Sequence, residues 1–361
     1  MRTQLADLAR LFPLLLSNFR SSPPQQIDLE LSNRCNLNCQ MCWFHGEGGI
    51  GDRYKGSELS TAEVLNFISQ IADSRPSIYL GGCEPFIRGD LLPILQHLKD
   101  LGLWVAFTTN GTLLDSDKNE TMVQLGVDQI IFSLDGPEKI HDEIRGKGVF
   151  RRVTANLKEL SDCKRKYNRP KPVISVNMTV TPFIIGHLLE SIEAIREATD
   201  DGVDCYRVHH LWFITPKELA LHQSAIRQYL NCSAPGAACH LTPLSANINP
   251  SILSREIEQL KNLRKIQFFP DFLPNKIYQY YSENGWSRRR CFAPYYGAVI
   301  KPNGDVQLCP DNWIDDYLLG NIRENNFADI WNNQKARDFR SVIFRHKSFP
   351  GCKRCSWRYC Y

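Results

Sequence analysis

The stretch IDLELSNRCNLNCQMC, residues 27–42, runs from an apolar segment straight into three cysteines spaced C-x3-C-x2-C. IDLELS has the character of a buried strand, so Cys35, Cys39 and Cys42 fall on the loop that leaves it. Three thiolates on one short loop can hold three irons of a cubane cluster and leave the fourth iron open. Spacing alone also admits a zinc site. Zinc favours four closed ligands, and only His45 lies close by as a fourth.

Further strand-like runs follow at SIYL (77–80), LWVAFT (103–108), QIIFS (129–133), VISVNMT (173–179) and CYRVHHLWF (205–213). Their near-continuous apolarity predicts strands buried on both faces, as in a parallel sheet. Helical patterns lie between them. Ser60 and Glu63 make a capping box ahead of Val64, Phe67, Ile68 and Ile71. Asp90 is placed to cap a helix carrying Leu91, Ile94, Leu95 and Leu98, which Gly102 closes. Val153, Leu157 and Leu160, then Leu188, Ile192 and Ile195, repeat the period.

Six β/α units in series predict an α/β chain built as a partial (β/α)6 barrel, followed by a small C-terminal α+β iron–sulfur domain. The expected divisions are an N-terminal helical extension (1–26), the barrel (27–220), a bridging segment (221–285) and the C-terminal domain (286–361). That last domain opens on two short strands around an Asn303-Gly304 turn. Chemistry in such folds gathers at the carboxyl ends of the strands. SNRCNLNCQMC, GGCEP, TTNG and SLDG all fall there.

Composition narrows the function. Charged residues are 23% of the 361, the formal charge is only +4, and no long basic run appears, which argues against nucleic acid. LFPLLL (11–16) is too short for a transmembrane segment and lacks the cleavage site of a secretory signal. The thirteen cysteines then point to thiolates in a reducing, cytoplasmic setting.

C-x3-C-x2-C after the first strand and GGCEP after the second resemble the radical S-adenosylmethionine (SAM) superfamily. SLDGPEKIHDEIRGKGVF (133–150) and the tail CFAPYYGAVIKPNGDVQLCPDN (291–312), LGNI and DIW resemble its SPASM/twitch subgroup. The resemblance covers about residues 27–180 and 285–361. It implies SAM chelated by the open iron and cleaved to a 5′-deoxyadenosyl radical. It also implies an external flavodoxin- or ferredoxin-like electron donor. Matched to the family's motifs, Gly81, Gly82 and Glu84 would meet the SAM amino group, and Asn110 and Asn177 the ribose. Ser133 and Arg145 would meet the carboxylate. Two departures stand out. Cys83 is inserted into GGCEP, and Met41 precedes Cys42 where an aromatic residue is usual, with Trp43 following.

Cys291, Cys309, Cys352 and Cys355 read as one four-ligand site, with Cys360 as a substitute ligand. Four cysteines with one C-x2-C pair fit zinc as well. The resemblance favours an auxiliary cluster, giving two [4Fe–4S] clusters in all. Among the remaining thiols, Cys83, Cys232 and Cys239 are candidate hydrogen donors to a substrate radical.

Three functions compete: an oxidoreductase or epimerase on a small molecule such as a sugar or cyclitol, a maturase of a ribosomal peptide, and a metal-binding protein without catalysis. Only about 26 residues precede the first strand, too few for a leader-binding domain, which favours a small-molecule substrate. His209, His210 and Trp212 are placed to line its pocket, and alternation allows only one histidine to point inward. Arg288, Arg289 and Arg290 can meet an anion or stay solvated. Leu5, Leu8, Leu11 and Leu15 form an apolar stripe suited to packing on the barrel.

Overall fold

The computed structural model describes residues 16–46, 49–51, 58–282, 289–310 and 312–360. The stripe of Leu5, Leu8, Leu11 and Leu15, together with Arg288, lies outside the described residues.

Seven strands run parallel in chain order: β1 (Gln26–Ser32), β2 (Ser77–Gly82), β3 (Val105–Thr109), β4 (Gln129–Ser133), β5 (Val173–Thr179), β6 (Cys205–His209) and β7 (Ile266–Phe269). On the other side of β1 lies β8 (Gly297–Ile300), also parallel to it, then β9 (Asp305–Gln307), antiparallel to β8, and β10 (Gly320–Asn321), antiparallel to β9. The sheet is open, with β7 and β10 as its edges. The result is a partial barrel.

Two sequence readings need correction. The stretch 221–285, read as a bridging segment, carries helices Pro250–Leu260 and Pro274–Tyr281 and the seventh parallel strand. That strand is only the four residues IQFF, too short to show a period. Pairing fixes it instead, through Tyr206↔Ile266 to His209↔Phe269. The strands are also not buried alike on both faces. Ile27, Ile78, Val105, Ile130, Ile174 and Tyr206 pack into the core beneath the helices. Register places Tyr79, Gln129, Asn177, Arg207 and His209 on the opposite, concave face. There Tyr79 donates to Thr108 at 2.7 Å and Gln129 to Ser175 at 2.7 Å.

Caps set the helix ends. Ser60 and Glu63 form the expected capping box on helix Thr61–Ile71. Asp90 is the N-cap residue of its helix, as expected, but its side chain makes no capping bond; the carboxylate binds Arg88 at 2.5 Å and accepts from Thr61 at 2.6 Å. The Asn303-Gly304 turn forms as expected, with Gly304 at φ +92. Its hairpin extends the barrel's own sheet through β8 rather than forming a separate one. A buried ion pair at 2.7 Å between Lys301 and Glu30 of β1 reinforces that join. Among the described residues no helix is long and apolar enough to cross a membrane.

Candidate active site

β1 delivers Cys35, Cys39 and Cys42 to a loop held by its own backbone. The Cys42 amide donates to the Cys39 carbonyl at 3.0 Å, and the Gln40 amide to the Ile144 carbonyl at 3.0 Å. The surroundings suit anionic sulfur. Leu37 N–H points at Cys35 Sγ (3.5 Å) and His45 N–H at Cys42 Sγ (3.3 Å), while Arg145 Nη1 lies 3.6 Å from Cys39 Sγ. Burial pushes the Cys35 and Cys39 thiols up; the Leu37 amide counters it at Cys35 and Arg145 at Cys39. Donors aimed at sulfur favour the thiolate a metal needs, so the loop fits a cluster with an open iron. The His45 ring is engaged elsewhere, 2.9 Å from the Asn33 carbonyl.

The two glycines of GGCEP permit close strand packing. A Cβ on Gly81 would fall 2.2 Å from Asp28 Oδ1, and one on Gly82, at φ +93, 2.4 Å from the Ser32 carbonyl. Glu84 differs from expectation. It is 1% exposed. Its Oε1 accepts from the Phe86 amide at 3.1 Å and the Thr109 hydroxyl at 2.8 Å, and its Oε2 from the Asn110 amide at 2.7 Å. It ties β2 to the end of β3 and offers no surface to a ligand. Burial pushes its pKa up against those three bonds.

Asn110 is likewise taken up by the protein. Its Nδ2 donates to Asn36 at 2.9 Å and lies 3.7 Å from Cys35 Sγ, and its Oδ1 accepts from the Thr112 amide and hydroxyl. It steadies the cysteine loop from the β3 side. Arg145 does the same from the helix Glu138–Arg145. Its Nε and Nη2 bind Asp135 at 2.7 and 2.6 Å, which leaves Nη1 for Cys39. Asp135 is fully buried and also accepts from the Thr179 amide at 2.8 Å. Asp135 was missed as a site residue, although it is the acidic residue of the quoted SLDG.

Ser133 and Asn177 are register partners at the ends of β4 and β5, and among the described residues Asn177 Oδ1 is buried without a hydrogen-bond partner. One strand further on, Arg207 lies 4.6 Å over the Phe269 ring, and His209 stacks on the same ring at 4.9 Å. His209 shares the concave face with Asn177, whereas His210 packs into the core and bonds Tyr281 at 2.9 Å. Burial first, then Arg207, holds the His209 ring neutral, with its pKa down to about 3.

At the other end of the chain, Cys291, Cys309, Cys352 and Cys355 line one cavity together with Leu308, Ile314, Phe339 and Arg358. The space is about 360 Å³, its open mouth included. Burial pushes Cys291 up to about 12 and raises Cys352 as well. Four thiols in an apolar cavity fit a buried cluster as donors. The Cys360 side chain lies outside the described residues. Among the described residues no group of three or more His, Cys, Asp or Glu side chains is arranged to hold a single metal ion.

The candidate hydrogen donors are dispersed. Cys83 lies beside Cys42 and Cys35, whose charges, after burial, push its thiol up. Cys232 sits by Asp316 and Asp315, and burial chiefly raises it to about 11. Cys239 is buried next to His240. A run of rings that sequence reasoning did not find leads from beside Cys42 toward the C-terminal cavity, ending at Trp313, the residue before Ile314 of its lining. Trp43, adjacent to Cys42, lies 5.7 Å from His240, which stacks on Trp313 at 4.0 Å. Trp212 flanks His240 at 6.5 Å. Arg290 is half-buried and donates to the Ile343 carbonyl, whereas Arg289 is exposed; its backbone carbonyl accepts from Arg358 and its guanidinium lies 5.9 Å from the Tyr359 ring.

Comparison with known proteins decides the family. Residues 29–201 match the model of the radical SAM superfamily, and residues 291–356 that of an iron–sulfur cluster-binding domain, SPASM. An AdoMet-dependent heme synthase of Nitratidesulfovibrio vulgaris is 31% identical across 91% of this chain and 83% of its own. The chain belongs to the radical SAM superfamily. This radical SAM enzyme is also 26% identical to a tungsten-containing aldehyde ferredoxin oxidoreductase cofactor-modifying protein of Pyrococcus furiosus, over 91% of this chain and 86% of that one. Its fold matches SuiB of Streptococcus suis bound to S-adenosylmethionine, with a TM-score of 0.64 at 17% identity, over 92% of this chain and 71% of SuiB. SAM and iron–sulfur clusters are the cofactors this membership implies.

Proposed function

We propose that this radical SAM enzyme abstracts hydrogen from a small-molecule substrate and oxidises it. One [4Fe–4S] cluster would sit on Cys35, Cys39 and Cys42 and an auxiliary one on Cys291, Cys309, Cys352 and Cys355. SAM and the clusters, when bound, supply a 5′-deoxyadenosyl radical and take up the second electron of the oxidation. A flavodoxin- or ferredoxin-like partner, in a cytoplasmic setting, would supply the priming electron.

The observation that carries this reading is how the two thiol sets are mounted. β1 leads into the first set and pairs directly with β8, which leads out of Cys291. The rings of Trp43, His240 and Trp313 run from beside Cys42 to the residue before Ile314, which lines the C-terminal cavity. A substrate at the carboxyl ends of the strands would lie between them. There Asn177 Oδ1 awaits a donor such as a ribose hydroxyl, while Arg145, fixed by Asp135, holds positive charge beside Cys39. Arg207 and the neutral His209 would face the substrate from β6. Relatives named as heme synthases and as a cofactor-modifying protein fit a small-molecule substrate. A second reading, peptide modification, is favoured by the PqqA peptide cyclase of Rhizobium meliloti, 25% identical over 96% of this chain and 85% of its own.

The substrate loses one hydrogen atom, then one electron and one proton. Anaerobic turnover in D2O, with candidate substrates from the genomic neighbours, should give a product two mass units lighter. One 5′-deoxyadenosine should appear per product, with no deuterium at a stable carbon. An inverted product carrying one solvent deuterium would replace oxidation with epimerisation through a cysteine donor. Turnover confined to a peptide would establish the second reading.

A further inference from the structure

We infer that the exposed face shared by the helices Pro216–Leu230 and Gln334–His346 is a docking surface for an acidic, flavodoxin-like electron carrier that discharges the auxiliary cluster, an inference that rests on the reading of Cys291, Cys309, Cys352 and Cys355 as its ligands. Charge is unevenly distributed along the chain. The whole carries a formal charge of only +4, yet residues 284–304 hold four Lys or Arg, residues 339–361 hold six, and neither stretch holds an Asp or Glu. Both stretches line the thiol cavity. Some of these cations are paired inside the protein, Lys301 with Glu30 and both Lys353 and Arg354 with Glu218. Arg345, His346 and Lys347, by contrast, are exposed at the end of their helix. The acidic residue of that helix, Asp338, lies about two turns earlier.

The helix Pro216–Leu230 continues the same face. Its one acidic residue, Glu218, is buried, while Lys217, Leu221, Arg227 and Tyr229 are exposed. Tyr229 stacks on His346 at 3.9 Å and so joins the two helices at the surface. Beyond the helix end, Asp316 accepts from Ser233. Two apolar side chains ringed by cations suit a small, transient encounter with an anionic protein, steered by charge. A membrane would call for a broader apolar face. The surface also lies close to the thiols. The Gly351 amide, beside Cys352, donates to His222 of the helix Pro216–Leu230 at 3.1 Å, and the Cys291 amide donates to the Lys347 carbonyl at 2.8 Å. One helix, about 10 Å across, thus separates a docked carrier from the turn that bears Cys352. In the proposed oxidation the substrate's second electron reduces the auxiliary cluster. On discharge one electron leaves the cluster, which is oxidised, and the flavin of the carrier is reduced to its semiquinone.

The test uses the full chain with Cys35, Cys39 and Cys42 changed to Ala, so that only the auxiliary cluster reports. Reduced protein is mixed with a purified oxidised flavodoxin, and semiquinone formation is followed by stopped flow. At low salt, Arg227→Glu with Arg345→Glu should slow the second-order rate about tenfold. Parent and variant should converge near 1 M salt, where the Debye length is about 3 Å. Iron content and the rate of oxidation by benzoquinone, a small neutral oxidant, should not change. A parent-like rate in the variant at low salt would overturn the surface. So would an equal loss in Arg151→Glu with Arg152→Glu, on the helix Val149–Lys166, since net charge would then be the cause. If the double variant loses its iron, Arg227→Glu alone decides by the same comparison. Isothermal titration with flavodoxin reads docking without the cluster, and affinity equal in parent and variant would likewise overturn it. Binding to phosphatidylserine vesicles but not to flavodoxin would put an anionic membrane in the carrier's place. Zinc without iron in the background protein would overturn the cluster reading and the electron step with it, while the titration would still decide the surface.

Discussion

Glu84 joins three donors inside the protein, so an effect of its loss on SAM binding would pass through the Asn110 turn. Removing its carboxylate strands the Phe86 and Asn110 amides and the Thr109 hydroxyl, and each buried unsatisfied group costs about 1–3 kcal/mol. The Asn110 turn should loosen, and with it the contact of Asn110 with Asn36 and Cys35. Glu84→Ala is therefore expected to lower thermal stability and to weaken SAM binding about tenfold, near 1.4 kcal/mol, while iron content stays close to that of the parent. Equilibrium titration of the reconstituted protein with SAM checks this. Unchanged affinity beside a clear loss of stability would leave Glu84 a purely structural residue. The sequence placed Glu84 at the right loop but on the wrong side of it. A motif marks where a side chain sits along the chain; whether it faces ligand or protein depends on neighbours contributed by another strand.

At the scale of the element, the β1–β2 junction makes a graded prediction from two adjacent glycines. Gly82 has φ +93, and its Cβ would meet a backbone oxygen of Ser32 where the register of β1 and β2 shifts. Neither the conformation nor the neighbour can yield cheaply, and strain of this kind costs about 1–3 kcal/mol before any clash. The Cβ of Gly81 would instead meet the Asp28 side chain, which can rotate. Gly82→Ala should lose most folded, iron-loaded protein, and Gly81→Ala should keep much of it. Iron analysis and thermal melts of the two variants read the difference, and equal damage in both would overturn the argument. Elements were legible where a local signal existed. β4 and β5 fall on QIIFS and VISVNMT, and the box of Ser60 and Glu63 fixes its helix. β7 was not legible, because IQFF has no period and is held by pairing with β6. Nor was the polar concave face, since residues such as Asn177 and Arg207 interrupt strands whose other face dominates the apolar pattern.

Across the whole molecule, one continuous sheet carries both thiol sets, and the buried pair of Lys301 and Glu30 closes the join. The auxiliary cysteines come from separate parts of the chain, before β8, after β9 and from the 3-10 turn Pro350–Arg354 and the residue after it. Burial disfavours the ionised forms of Cys291 and Cys352, so a metal held there would be what keeps those thiolates anionic. Metal binding and the packing of the C-terminal module are then coupled. Anaerobically reconstituted protein should hold about eight irons, two clusters of the kind these ligands support. Changing Cys35, Cys39 and Cys42 together to Ala should remove about half, because that loop is held by its own turn and by the bonds of Asn36 to Asn110 and of Gln40 to Ile144, which need no cluster. Changing Cys291 and Cys309 to Ala should also remove about half and in addition lower the melting temperature, since the cavity they line packs Ala293 and Pro294, ahead of β8, and Leu308 and Pro310, after β9, against Phe339 and Ile343 of the helix Gln334–His346. About four irons with stoichiometric zinc in the intact protein would put zinc in the auxiliary site. Zinc has no redox chemistry, so that result would leave the second electron of the oxidation without an acceptor and turn the assignment toward redox-neutral chemistry.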